Sequence, residues 1–100
     1  METIGYFTEL GITYKDDGKF KDHLGKQAYD KNAVIKYLKA QKLVAICPKP
    51  VNDHVTGERI ANSFCVKTDG EYEWPDSLEY HIAHYDVILP EALIKKAQEH

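Results

Sequence analysis

The stretch Thr68-Asp69-Gly70-Glu71-Tyr72-Glu73-Trp74-Pro75-Asp76-Ser77-Leu78 decides how the chain folds. Asp69-Gly70 is a hairpin signal, because a primed turn needs positive φ, which glycine accepts and aspartate tolerates. Tyr72 and Trp74 then fall two apart on one face of a pleated strand, with Glu71 and Glu73 on the other. Pro75 stops the ladder and can begin a helix, where its missing N–H costs nothing. Turn, aromatic strand and helix start thus follow one another directly.

Upstream of the turn, Arg59 to Lys67 reads as a strand with Ile60, Phe64 and Val66 on one parity. Phe64 and Val66 argue for one face as core, and Cys65 together with Trp74 argues for the other. Leu43-Val44-Ala45-Ile46-Cys47 is a continuous apolar run, the mark of a strand buried on both faces, and Pro48 and Pro50 close it. Asn52 to Glu58 is turn chemistry and reads as a loop. The expectation is an antiparallel meander of strands at about 43–47, 59–68 and 71–74.

The helices follow from apolar spacing. Leu78, Ile82 and Tyr85 recur at i, i+4, i+7, which predicts a helix over 75–85, with Asp76 and Glu79 near its positive end. Val87-Ile88-Leu89 is an extended link, and Pro90 begins a last helix over 90–98 with Leu93, Ile94 and Ala97 on its apolar stripe. Asp30 is placed to cap a helix over 31–42 that buries Val34, Tyr37 and Leu38. Residues 4–13 are expected to be a short strand or extended segment, followed by an irregular connection containing Phe20 and Leu24. The fold class is α+β: a single domain over 1–100, with a three- to four-stranded antiparallel sheet and about three helices packed on it.

Composition bounds the function. A chain of 100 residues with 43% hydrophobic and 29% charged residues is an ordinary globular domain. No apolar run approaches the roughly 18 residues of a membrane span. Met1-Glu2-Thr3-Ile4-Gly5-Tyr6 lacks the basic region and apolar core of a signal peptide, so a cytoplasmic location is expected. Cys47 and Cys65 lie in apolar runs without a basic neighbour to lower a thiol pKa, and read as reduced, space-filling thiols.

The net charge of −3 hides a segregation. Lys31, Lys36, Lys39, Lys42 and Lys49 span a segment without an acid, whereas Asp69, Glu71, Glu73, Asp76, Glu79, Asp86 and Glu91 span one without lysine or arginine. Five lysines without arginine, in an acidic chain, make a poor phosphate footprint, so no nucleic acid partner is expected. The acidic segment has two readings: a solvated surface, or a docking face for a basic protein, with Asp69, Glu71, Glu73, Asp76 and Glu79 supplying charge and Tyr72, Trp74 and Tyr80 supplying aromatic anchors. Trp74 has two readings, surface anchor or core. A lone tryptophan beside a hairpin more often packs on the following helix.

Catalytic and metal signatures are thin. His81 and His84 have metal-compatible spacing, with Glu79 and Asp86 nearby, but no convergent third ligand accompanies them. His81 borders the apolar stripe and reads as a packing histidine. Asp53-His54 beside Thr56 could orient a general base, yet a nucleophile elbow is missing, and Asp53 is expected to bond turn amides instead. The glycines form no phosphate loop, and no cofactor or metal is expected.

The run Thr68–Tyr80, followed by His84-Tyr85-Asp86-Val87-Ile88-Leu89-Pro90-Glu91, resembles the C-terminal half of small bacterial cytoplasmic proteins. Some of these look like immunity proteins of toxin systems such as contact-dependent growth inhibition. The resemblance covers about a third of the chain and implies a small α+β bacterial protein that neutralises a toxin. The expected function is therefore a non-enzymatic protein-binding module, an immunity protein whose acidic face plugs the basic cleft of a nuclease-like toxin domain. The alternative is a small enzyme or metal-dependent regulator using His54, His81 or His84.

Overall fold

A computed structural model describes residues 1–13 and 15–99. The chain runs β1 (Glu2–Thr3), two 3-10 turns (Thr8–Leu10 and Phe20–His23), α1 (Lys31–Lys39), β2 (Lys42–Cys47), β3 (Val51–Asn52) and β4 (Arg59–Ala61). It continues through β5 (Phe64–Thr68), β6 (Tyr72–Pro75), α2 (Ser77–His84) and α3 (Glu91–Glu99). The main sheet has the order β1-β6-β5-β2, and β3 and β4 form a separate two-stranded ribbon. This is an α+β fold with a mixed, mostly antiparallel sheet: β6 pairs antiparallel with β5 and β5 with β2, while β1 joins β6 in parallel.

The 68–78 stretch folds as its chemistry dictates, with two refinements. Gly70 takes the positive φ of the turn at +98°, but among the described residues no non-glycine residue does, so Asp69 is not a primed-turn residue. Instead its carboxylate accepts the N–H groups of Glu71 and Tyr72 at 2.9 and 2.8 Å, an Asx-type turn. Pro75 closes β6 rather than opening α2. Asp76 follows it, accepting the Cys65 N–H at 3.1 Å and donating its own N–H to the Cys65 carbonyl at 2.8 Å. That exchange locks the start of α2 to β5.

Trp74, fully buried, sits with Val34, Leu38, Leu78, Ile82 and Leu93 in the core between sheet and helices. The opposite side of the sheet has a smaller cluster of Tyr6, Leu10, Val51 and Phe64. The two clusters resolve the parity of β5. Val66 pairs with Pro75 and Lys67 with Trp74, so Phe64 and Val66 face the small cluster while Cys65 and Lys67 face the helices. Both faces of β5 are therefore covered. Asp30 caps α1 as expected, accepting the Ala33 N–H at 3.2 Å.

Three expectations are corrected. The 59–68 strand is two strands: Arg59–Ala61 leaves the sheet to pair with Val51–Asn52, and Asn62-Ser63 breaks the run. The 4–13 segment contributes no strand of its own. Glu2–Thr3 pairs with β6, and Gly11 at φ +78° ends the 3-10 turn that follows. The 43–47 strand, expected to be buried on both faces, is the outermost strand of the sheet. Leu43, Val44 and Ile46 are 50%, 53% and 66% exposed. A continuous apolar run identifies a strand but does not say where in the sheet it lies.

Candidate functional site

The acidic segment does not form the open face that its sequence suggests. Tyr72 and Trp74 are buried and cannot serve as surface anchors. Tyr80 is half-buried and donates its hydroxyl to Asp53 at 2.8 Å. Asp69 lies inside the hairpin, bonded by the Tyr37 hydroxyl at 2.7 Å and paired with Lys96 at 3.0 Å. Burial alone would raise its pKa, but the Tyr72 N–H, the Tyr37 hydroxyl and its other donors pull the carboxyl down to about 2. Glu71 is exposed, yet Lys96 reaches it at 2.8 Å. Glu73 is bonded by Lys15 and by the Tyr6 hydroxyl, and the Lys15 bond leads in holding its carboxyl below the usual range.

Glu79 is buried against Lys67 at 3.3 Å, where desolvation raises its pKa. Asp76 is spent on β5, as described above. Four of the five acids thus have a lysine partner within the chain, and the fifth holds backbone. The reason is topological: α3 brings Lys96, β5 brings Lys67 and the segment after the first 3-10 turn brings Lys15, all distant in sequence. A basic partner would meet little free negative charge here.

A second group of polar residues converges where the 51–58 loop meets α2. Asp53 is buried and accepts from four donors: the N–H groups of Val55 and Thr56 at 2.8 and 3.0 Å, and the hydroxyls of Tyr80 and Tyr85 at 2.8 Å each. Burial would raise its pKa, but the Thr56 and Val55 amides and the two hydroxyls outweigh it and hold the carboxyl well below the carboxylate range. The turn-supporting role expected of Asp53 is present. The tyrosines add a tether to α2 and its end.

His54 stacks on His81, with ring centroids 4.0 Å apart and planes 12° from parallel. The His54 backbone N–H donates to His81 Nε2 at 3.1 Å, so that nitrogen carries no proton. The proton then sits on Nδ1, which donates to the Ser77 carbonyl at 2.8 Å. His81 is a fully buried, neutral packing residue with both nitrogens occupied. His84 is exposed and lies against Tyr80 rather than beside His81. Among the described residues, no group of three or more His, Cys, Asp or Glu is placed to hold a metal ion.

The stacked pair carries a pH prediction. Desolvation leads in lowering both imidazoles, and for His54 the His81 charge adds to it, bringing that pKa to about 4 against the opposing pull of Glu9 and Asp53. The unfolded chain takes up these protons near pH 6.5, while folded His54 resists until about 4. The stabilisation is therefore complete above pH 6.5 and is lost as pH falls toward 4, at up to about 1.4 kcal/mol per pH unit for each histidine. Urea midpoints should fall clearly between pH 7.5 and 5, and His54→Gln should flatten that slope. Equal midpoints in the native chain would contradict the assignment of neutral rings.

The surface that is left open is β2. It is hydrogen-bonded to β5 along one edge, and among the described residues no strand pairs with its other edge. Leu43 shares the helix-side face with Lys67, yet neither it, Val44 nor Ile46 belongs to an apolar cluster. The pairing slips between Leu43 and Ala45, leaving Val44 as a bulge without a β5 partner. The sequence carries the signs of an edge strand, Lys42 before the run and Pro48 and Pro50 after it, and these could have identified it. Among the described residues, no helix is long and apolar enough to cross a membrane. Comparison with protein families, with characterised proteins and with solved structures finds no match to this chain.

Proposed function

We propose that this chain is a non-enzymatic protein-binding module whose docking element is the open edge of β2. The observation that carries the reading is the exposure of Leu43, Val44 and Ile46 beside an unpaired strand edge. Monomeric proteins blunt such edges with charge, bulges or covering loops, and an uncovered apolar edge is a template for another strand. β2 has the bulge at Val44 and the charge at Lys42, which limit indiscriminate pairing, but its apolar middle stays bare. Added strands gain main-chain hydrogen bonds for affinity and side-chain pockets for specificity.

The immunity form of this reading has a toxin domain as the partner, and its support is the resemblance of 68–91. Neutralisation would then take place in the cytoplasm by covering the toxin's working surface. The consumption of Asp69, Glu73 and Glu79 by lysines speaks against the version in which those acids fill a basic cleft.

Growth rescue tests both parts. Where a neighbouring gene encodes a toxin domain, the chain is co-expressed with it, as native sequence and as Ile46→Lys; a neighbourhood without one weakens the immunity form. Ile46 is exposed, so the substitution should change stability by no more than about 0.5 kcal/mol. Rescue by the native chain that Ile46→Lys loses, with an unchanged melting temperature, is the expected result. Equal rescue by both removes β2 as the docking element; rescue by neither removes the immunity function.

A further inference from the structure

We infer that the β2 edge accepts an extended strand whose ends carry carboxylates, so that the partner segment is acidic rather than basic. The inference rests on the docking role of β2 and adds the chemistry of its occupant. Lys42 is the first residue of β2, Lys39 closes α1 three residues earlier, and Lys36 lies one helical turn before that. Lys49 follows Cys47 at the other end. Lysines therefore flank the open strand at both ends.

Among the described residues, none of Lys36, Lys39, Lys42 and Lys49 forms a salt bridge. The segment from Lys31 to Lys49 contains no acid of its own. Asp69, one residue past Thr68 on the neighbouring strand, is already held by Lys96. Glu79, which reaches β5 through Lys67, is held there. Lys39 lines a groove with Asp76 and Glu79, and Lys36 lies beside Ala97 and Gln98, so the positive frame of the open edge is Lys42 at one end and Lys49 at the other. A second copy of this chain would bring the same lysines into that frame, which charge disfavours. An acidic strand meets complementary charge at both ends and apolar contact in the middle.

The contact is small. One strand of six residues buries much less than the ~1,200 Å² of a stable interface, so the expected affinity is that of a transient, charge-steered encounter. Unpaired lysines favour such steering, and the binding should weaken with salt.

The probes are two labelled peptides with a core of alternating valine and threonine, six residues long to match the strand. One carries two glutamates at each end and the other two lysines at each end. Fluorescence anisotropy with the full chain should show the glutamate peptide binding at least about tenfold more tightly than the lysine peptide. The double variant Lys42→Glu, Lys49→Glu should erase or reverse that preference; Lys42 is exposed and Lys49 half-buried, so the melting temperature should stay nearly unchanged. Equal binding of the two peptides overturns the acidic occupant and leaves β2 as a docking edge. Binding of neither at millimolar peptide overturns the docking edge as well. A dimer in sedimentation that Ile46→Lys dissolves overturns the inference by placing a second copy on the edge.

Discussion

Trp74→Ala is expected to cost about 3–5 kcal/mol of folding stability, the range found when a large buried aromatic is truncated to alanine. Trp74 is fully buried, and β6 presents it to the cluster that also holds Leu38, Leu78, Ile82 and Leu93. Few domains of this size have more than about 5–15 kcal/mol to lose. In a chain of this length each kcal/mol moves the melting temperature by about 4–8 °C, so a fall of about 12–40 °C is expected by calorimetry. Any loss of partner binding should then follow the unfolded fraction and disappear at low temperature, where the variant is folded. A fall under about 5 °C would mean that the surrounding side chains close over the site, or that the ring contributes little to the core.

The contrast with Ile46 separates what could be read in the sequence from what could not. Local chemistry set most elements: Asp30 at the start of α1, Gly70 in the hairpin turn, and the i, i+4 spacing of Leu78 and Ile82 on α2. Each of those signals is contained within a few residues. The apolar run of β2 did not show its place, because an apolar pentapeptide looks alike in the centre and at the edge of a sheet; only the flanking Lys42, Pro48 and Pro50 pointed to an edge. β4 leaves for β3, and β1 adds to the β6 side, so among the described residues no strand pairs with the outer edge of β2.

The inward pairing of the acidic segment was hidden for a related reason. A charge run shows where the acids are in sequence, while Lys15, Lys67 and Lys96 reach them only through tertiary folding. The tether from Asp53 to two tyrosines was equally hidden, since Tyr80 and Tyr85 lie 27 and 32 residues away.

That tether supports the remaining large effect. Asp53→Asn keeps the shape of the side chain but removes its charge and turns one oxygen into a donor. The carboxylate accepts from two amides and two hydroxyls, and an amide cannot satisfy all four. At least one hydroxyl or N–H should lose its acceptor in a partly buried setting, which costs about 1–3 kcal/mol for the orphaned group, and the charge-assisted strength of the other bonds is lost as well. A total of about 2–4 kcal/mol is therefore expected in urea unfolding.

A second readout belongs to the tyrosines. The Tyr85 hydroxyl is pushed up to about 12, first by its bond to Asp53 and then by burial and the Asp53 charge, and Tyr80 is raised for the same leading reason. Removing the charge should return both toward the ordinary value near 10, seen as earlier phenolate absorbance in an alkaline titration. Stability lost without that spectral shift would show that the turn amides, and not the tyrosines, depend on Asp53. A spectral shift with unchanged stability would reduce the tether to a solvated contact. Both changes together would establish that Asp53 joins the 51–58 loop to α2, and so holds the small cluster around Val51 and Phe64 beneath β5.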